Sequence, residues 1–153
     1  MKGRTTLLLT LFLPLLLGDL EMDRSYAELH CDMGMAFVDQ GLFDSAETEF
    51  ETALGYVEDF PEAVFGLGLV FVARESAEEA EEQFLAFMEA EPGDSRGPLE
   101  LSRIYLETGE SSEALDMARW AHNLLPGDPV IWMQLARCSV AAGDTALAEN
   151  WLI

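Results

Sequence analysis

His30 and Cys31 are neighbours in the chain, and a thiolate beside an imidazolium would make a nucleophilic pair. That chemistry needs the two side chains to face each other, and adjacent residues on a helix do not. His30 also falls in a column of helix-facing residues, so it reads as packed. His122, late on another helix, reads as a surface residue. Two His and two Cys are too few for a disulfide framework or an ordinary zinc site. A disulfide between Cys31 and Cys138 would need Cα atoms within about 7 Å. Stacked repeats keep them apart, so both read as buried free thiols or as intermolecular partners. Acids are so abundant that no single pair stands out as a general acid and base. The run from Glu78 to Glu82 reads as a solvated helix face, and no glycine-rich phosphate loop occurs. These residues assign no catalytic group, no metal ligand and no cofactor, and the expectation is a protein that is not an enzyme.

The charge narrows the partners. Against 29 Asp and Glu stand 8 Lys and Arg, a net charge of −21. Nucleic-acid phosphates and anionic membrane surfaces both require clustered basic residues, so neither is an expected partner. Either adaptation to high salt or a basic partner explains such acidity, and composition does not separate them.

The N-terminus has the pattern of a targeting segment. Lys2 and Arg4 precede an apolar run from Leu7 to Leu17, interrupted by Thr10 and Pro14. A membrane-spanning helix needs roughly 20 apolar residues, and this run is shorter. It fits a secretory signal peptide over 1–18, cut after Gly18, or else an uncleaved apolar segment. Cleavage would leave a mature chain without lysine. The expected location is then periplasmic or secreted, and the alternative is cytoplasmic.

The elements that position these residues follow from a repeat. Written from Ala27 in rows of 34 residues, the columns agree without a gap. One column reads Met33, Leu67, Leu101, Leu135, and the next Gly34, Gly68, Ser102, Ala136. Phe37, Phe71, Tyr105 and Ser139 form another, and Ala46, Ala80, Ala114 and Ala148 a fourth. Phe50, Phe84, Ala118, Leu152 and then Ala53, Phe87, Ala121 complete the set, with Pro92 and Pro126 closing two rows. His30, Met33, Gly34 and Phe37 share one face of a helix. Ala46, Phe50 and Ala53 share a face of a second. Gly41, Gly109 and Gly143 lie between them, where a left-handed residue ends a helix. Asp44 with Glu47, and Ser76 with Glu79, have the spacing of capping boxes. Each row is a helix–turn–helix unit.

This pattern resembles the tetratricopeptide repeat family, whose signature is Trp-x2-Leu-Gly-x2-Tyr, Ala-x3-Phe and Pro. Row two carries it as Val64, Leu67, Gly68, Phe71, Ala80, Phe84 and Pro92, and row four supplies Trp132 with Leu135. The resemblance implies an all-α, right-handed α-solenoid of antiparallel helix–turn–helix repeats over 19–153. Its repeats are 27–60, 61–94, 95–128 and a partial 129–153. Pro98 stands in the Trp column of row three, so that helix is expected to begin there. Phe87 is large where Ala is usual and Ala118 small where Phe is usual, which suggests that Phe87 fills the volume Ala118 frees. The last row stops at Ile153 with Trp151 and Leu152 on an unfinished helix. Another copy of the chain, a partner, or further sequence would complete it.

In this family the first helices line a concave groove that holds peptides or partner helices. The resemblance places there Met35 and Val38 of row one, Phe65, Leu69 and Val72 of row two, Leu99, Arg103 and Leu106 of row three, and Met133 and Arg137 of row four. Cys31, Met35 and Gly66 stand where family members that grip a C-terminal carboxylate need polar donors, so that role is not expected. The expected function is an exported adaptor or assembly factor in the bacterial envelope, binding a basic or amphipathic peptide or helix. The alternative is a cytosolic secretion chaperone that masks apolar segments of a client.

Overall fold

A computed structural model describes the backbone of residues 4–144 and the side chains of residues 20–144. Ala148 and Leu152 of the repeat columns, Trp151 to Ile153, and the side chains of the apolar N-terminal run lie outside the described residues. The described elements are helices: α1 (Arg4–Asp39), α2 (Phe43–Tyr56), α3 (Pro61–Ala73), α4 (Ala77–Ala90), α5 (Arg96–Thr108), α6 (Ser111–Leu124) and α7 (Pro129–Ala141). Gly18, the expected cleavage point, lies inside α1. The chain forms two compact units, Met1–Gly66 and Leu67–Ile153, with the division falling within α3.

The turn inside each repeat is the most regular feature. The N–H groups of Leu42, Ser76, Glu110 and Asp144 donate to the carbonyls of Phe37, Phe71, Tyr105 and Ser139 at 2.9, 3.0, 2.7 and 2.9 Å. This closing bond satisfies carbonyls left over at a helix end, and it needs a left-handed residue just before it. Gly41, Gly109 and Gly143 take that conformation, with φ of 73°, 92° and 75°. Row two places Glu75 there, with φ of 59°.

In the first unit α1 packs on α2. Phe50 is fully buried, and a Cβ on Gly34 or Gly66 would come within 2.6 or 2.3 Å of its ring. The missing Cβ atoms therefore let α1 and the start of α3 close on this phenylalanine. His30 is half-buried; its Nδ1 lies 2.6 Å from Glu49, and its ring stacks on Tyr56, which stacks in turn on Tyr26. This confirms a packing role for His30. Met33, expected in the core column, is 39% exposed, because the buried face of α1 centres on Ala27, Cys31 and Gly34.

The second unit repeats the glycine–phenylalanine contact and then varies it. A Cβ on Gly68 would lie 2.6 Å from the ring of buried Phe84. In the next row Ser102 and Ala118 occupy the two columns, both fully buried. Ala118 packs with Ala114, Leu115, Leu135 and Cys138, a cluster flanked by Tyr105 and Leu106 and not including Phe87. Phe87 instead lies against Gly97, whose Cβ would sit 3.1 Å from the Phe87 ring and 2.5 Å from Met88, while the Arg96 guanidinium lies 5.1 Å above the ring. The expected exchange of volume between Phe87 and Ala118 is thus replaced by one between Phe87 and Gly97.

Three further expectations are corrected. Helix α5 begins at Arg96, two residues before Pro98; the first N–H groups of a helix have no intrahelical acceptor, so proline is tolerated there. Asp44 lies inside the first turn of α2, after Leu42 at the cap, and Ser76 caps α4 without a side-chain hydrogen bond, so neither capping box forms. Side-chain oxygens meet helix starts elsewhere: Asp128 accepts from the Val130 N–H at 2.7 Å ahead of α7, and Asp94 from the Arg96 N–H at 2.8 Å ahead of α5. His122 is not a surface residue but half-buried, edge-on to Trp132 at 6.2 Å.

Candidate functional site

The expected groove residues fall on the first helix of each repeat, and their exposure differs between the units. In the first unit Met35 is exposed and Val38 half-buried on α1. Phe65 is only 7% exposed and belongs to the core of this structure. The first unit also has a depression of about 200 Å³, lined by Arg24, Glu28, Cys31, Asp32, Phe60 and Glu62 and by none of the expected groove residues. Arg24 donates to Glu28 at 3.2 Å and lies 5.8 Å from the centre of the Phe60 ring. Burial, reinforced by the charges of Glu62, Asp32 and Glu28, pushes the Cys31 thiol up to about 12. Such a thiol carries almost no thiolate and is no nucleophile. Cys138 is likewise buried and free, and burial raises its thiol too.

In the second unit Leu69 is half-buried and Val72 exposed on α3, while Leu99, Arg103 and Leu106 are half-buried on α5. On α7, which packs beside α5, Met133 is 62% and Val140 63% exposed, with exposed Arg137 between them. The spacing of 133, 137 and 140 puts all three on one helix face. Both arginines are tied to their own helices. Arg103 donates to Glu100 at 2.6 Å, and Arg137 donates to Gln134 at 3.1 Å, one repeat later in the same columns. Gln134 is buried and its amide reaches the Cys138 sulfur at 3.5 Å. Burial raises the Glu100 carboxyl, against the pull of Arg103. The result is an apolar stripe whose cations are already held in place.

A second depression, of about 300 Å³, lies where α3 ends, α4 begins and α5 ends. Val72, Ala77 and Ile104 form apolar walls, and Glu75, Glu107 and Thr108 supply the polar groups. Thr108 is spent locally, its hydroxyl within hydrogen-bond reach of both the Ile104 carbonyl, at 3.1 Å, and Glu110, at 3.0 Å. Sequence reasoning placed Val72 on the groove and passed over Glu75. The legible signal was its column, which reads Gly41, Glu75, Gly109, Gly143. Among the described residues, no group of His, Cys, Asp and Glu has the arrangement to hold a metal ion.

A tetratricopeptide repeat family model matches residues 31–95. The helix pairs, their turns and their small-residue columns agree with that match. The chain has a tetratricopeptide-type repeat architecture. Solved structures of this architecture cover most of it. Pseudomonas aeruginosa pilF superposes with a TM-score of 0.77 at 17% identity, over 84% of this chain and 59% of that one. The first TPR of Spaghetti (RPAP3), bound to an HSP90 peptide, gives 0.73 at 13% identity, over 78% of this chain and 95% of that one. The Yersinia enterocolitica type III secretion chaperone SycD, in complex with a peptide of the translocator YopD, gives 0.66 at 18% identity, over 80% and 93%. The chain therefore spans 59% of the length of the pilF chain. No curated protein sequence matches it. At these identities the likeness establishes the fold alone.

Proposed function

We propose that this tetratricopeptide-type protein is a non-catalytic binding module that holds a peptide or amphipathic helix against the α5–α7 face of its second unit. One observation carries the proposal: Met133 and Val140 stand 62% and 63% exposed on a helix face shared with Arg137. An apolar stripe left in water is characteristic of an interaction surface. The partner is basic or amphipathic, because a surface of net charge −21 repels other anions and draws cations. A photo-crosslinker at Met133 in the native host tests this, with Glu113 on α6 as the control position. Capture of one protein at Met133 and none at Glu113 is expected. Equal capture at both positions, or none at Met133, overturns the proposal.

Export is part of the same reading and rests on Lys2, Arg4 and the Leu7–Leu17 run. The second reading is a cytosolic chaperone that masks apolar segments of a secreted client, as the peptide held by SycD suggests. N-terminal sequencing of the protein recovered from the host separates the two. A start at Asp19 excludes the chaperone reading, and an intact N-terminus in the cytosol excludes export.

A further inference from the structure

We infer that the depression walled by Val72, Ala77 and Ile104 receives a lysine or arginine side chain of the bound partner, its charge lying between Glu75 and Glu107. The inference rests on the binding-module reading and names what the partner must carry. The apolar walls suit the aliphatic stem of a long basic side chain, and the two carboxylates suit its head. Neither Glu75 nor Glu107 forms an ion pair among the described residues. No basic residue lines this depression. The depression of the first unit differs in this respect: it carries a basic residue in its own lining, Arg24, in an exposed pair with Glu28 one helical turn away.

The position of Glu75 supports the assignment independently. It holds a left-handed backbone, φ 59°, where three of the four repeats use glycine. A non-glycine residue there is strained by about 1–2 kcal/mol, and glycine would remove the strain together with the carboxylate. Such strain recurs at ligand clamps. A second copy of the chain is the poorer source of this guest, because its six arginines after Gly18 come with the same net charge of −21.

The test uses a fluorescein-labelled amphipathic helical peptide with lysines along its polar face, and a second peptide with glutamine at each lysine. Fluorescence anisotropy measures both against the full chain and against Glu75→Gln/Glu107→Gln, substitutions at exposed positions that leave the core alone. Loss of a charge-assisted contact weakens binding by about tenfold or more. The lysine peptide should therefore bind the double variant about tenfold more weakly than the wild type. The glutamine peptide should not distinguish the two proteins. Equal affinity of the lysine peptide for both proteins overturns the assignment. A Met133→Asp variant keeps the two proposals apart. If it abolishes binding while the double variant does not, the α7 face stands and the cation pocket falls. If the double variant weakens binding and Met133→Asp does not, the pocket stands and the α7 face falls. Failure of the lysine peptide to bind the wild type overturns both.

Discussion

The depressions of the two units are both lined by carboxylates, yet one has a basic residue in its lining and the other does not. Around Cys31, Arg24 is bonded to Glu28 and lies over Phe60, so one of the three carboxylates there has a cationic neighbour. Around Val72, Glu75 and Glu107 face apolar walls with no basic residue in the lining. The same repeat geometry underlies both. What differs is which side chains the columns carry. An acidic surface by itself therefore says little about binding; an acidic rim without its own cation, over an apolar wall, says more.

The largest effect that sharpens this comparison lies at Cys31. Its thiol is raised from 9.0 to about 12, which at pH 8 cuts the thiolate fraction by about 1000-fold. Alkylation by iodoacetamide should accordingly be far slower in the folded chain than in urea, followed at Cys31 by peptide mass mapping. Comparable rates would show that the depression is not closed around the thiol.

Next in size are the glycines on which both units close. Alanine in place of a helical glycine normally stabilises by about 1 kcal/mol. Here Gly34→Ala and Gly68→Ala would each press a Cβ to within 2.6 Å of a buried ring, Phe50 or Phe84. Both should destabilise by about 1–3 kcal/mol in urea unfolding, so the sign is the test. Stabilisation by either would mean that the helices of that unit have room to part.

A smaller effect separates the observed partner of Phe87 from the expected one. Phe87→Ala and Ala118→Phe should be additive to within about 0.5 kcal/mol. Phe87→Ala and Gly97→Ala should couple by roughly 1 kcal/mol or more, because the added Cβ meets the Phe87 ring only when that ring is present. The reverse pattern would restore the exchange suggested by the columns.

The smallest effect bears on the open depression. Glu75→Gly should raise stability by up to about 1 kcal/mol by relieving the left-handed backbone, while weakening binding of the lysine peptide. An unchanged or lowered stability would mean that Glu75 is unstrained, and the argument from its conformation would fail.

The fold was legible because its signals repeat. The 34-residue period, the glycines at 41, 109 and 143, and the alanines at 46, 80 and 114 each recur, and each reappears as a turn or a buried contact. Pairing across rows was not legible. Phe87 with Gly97 joins the second helix of one repeat to the first helix of the next, whereas columns compare like positions only. Capping was misread because Asp44 falls inside the first turn of α2, past Leu42 at the cap, and Ser76 stands at the cap of α4 without a side-chain bond. Of the residues placed on the groove, the exposure of Met133 and Arg137 on α7 was readable. The burial of Phe65 was not, since helical spacing alone does not say which of two neighbouring faces a partner helix covers. Glu75 was visible only as the odd member of a glycine column.

The most direct test of the central claim is to titrate the lysine-bearing helical peptide into methyl-labelled protein and map which resonances move. The account predicts shifts at Leu99, Leu106, Met133 and Val140, extending to Val72 and Ile104, and none at Leu115 on α6. Shifts centred on α6, or on the first unit with α7 silent, would contradict it.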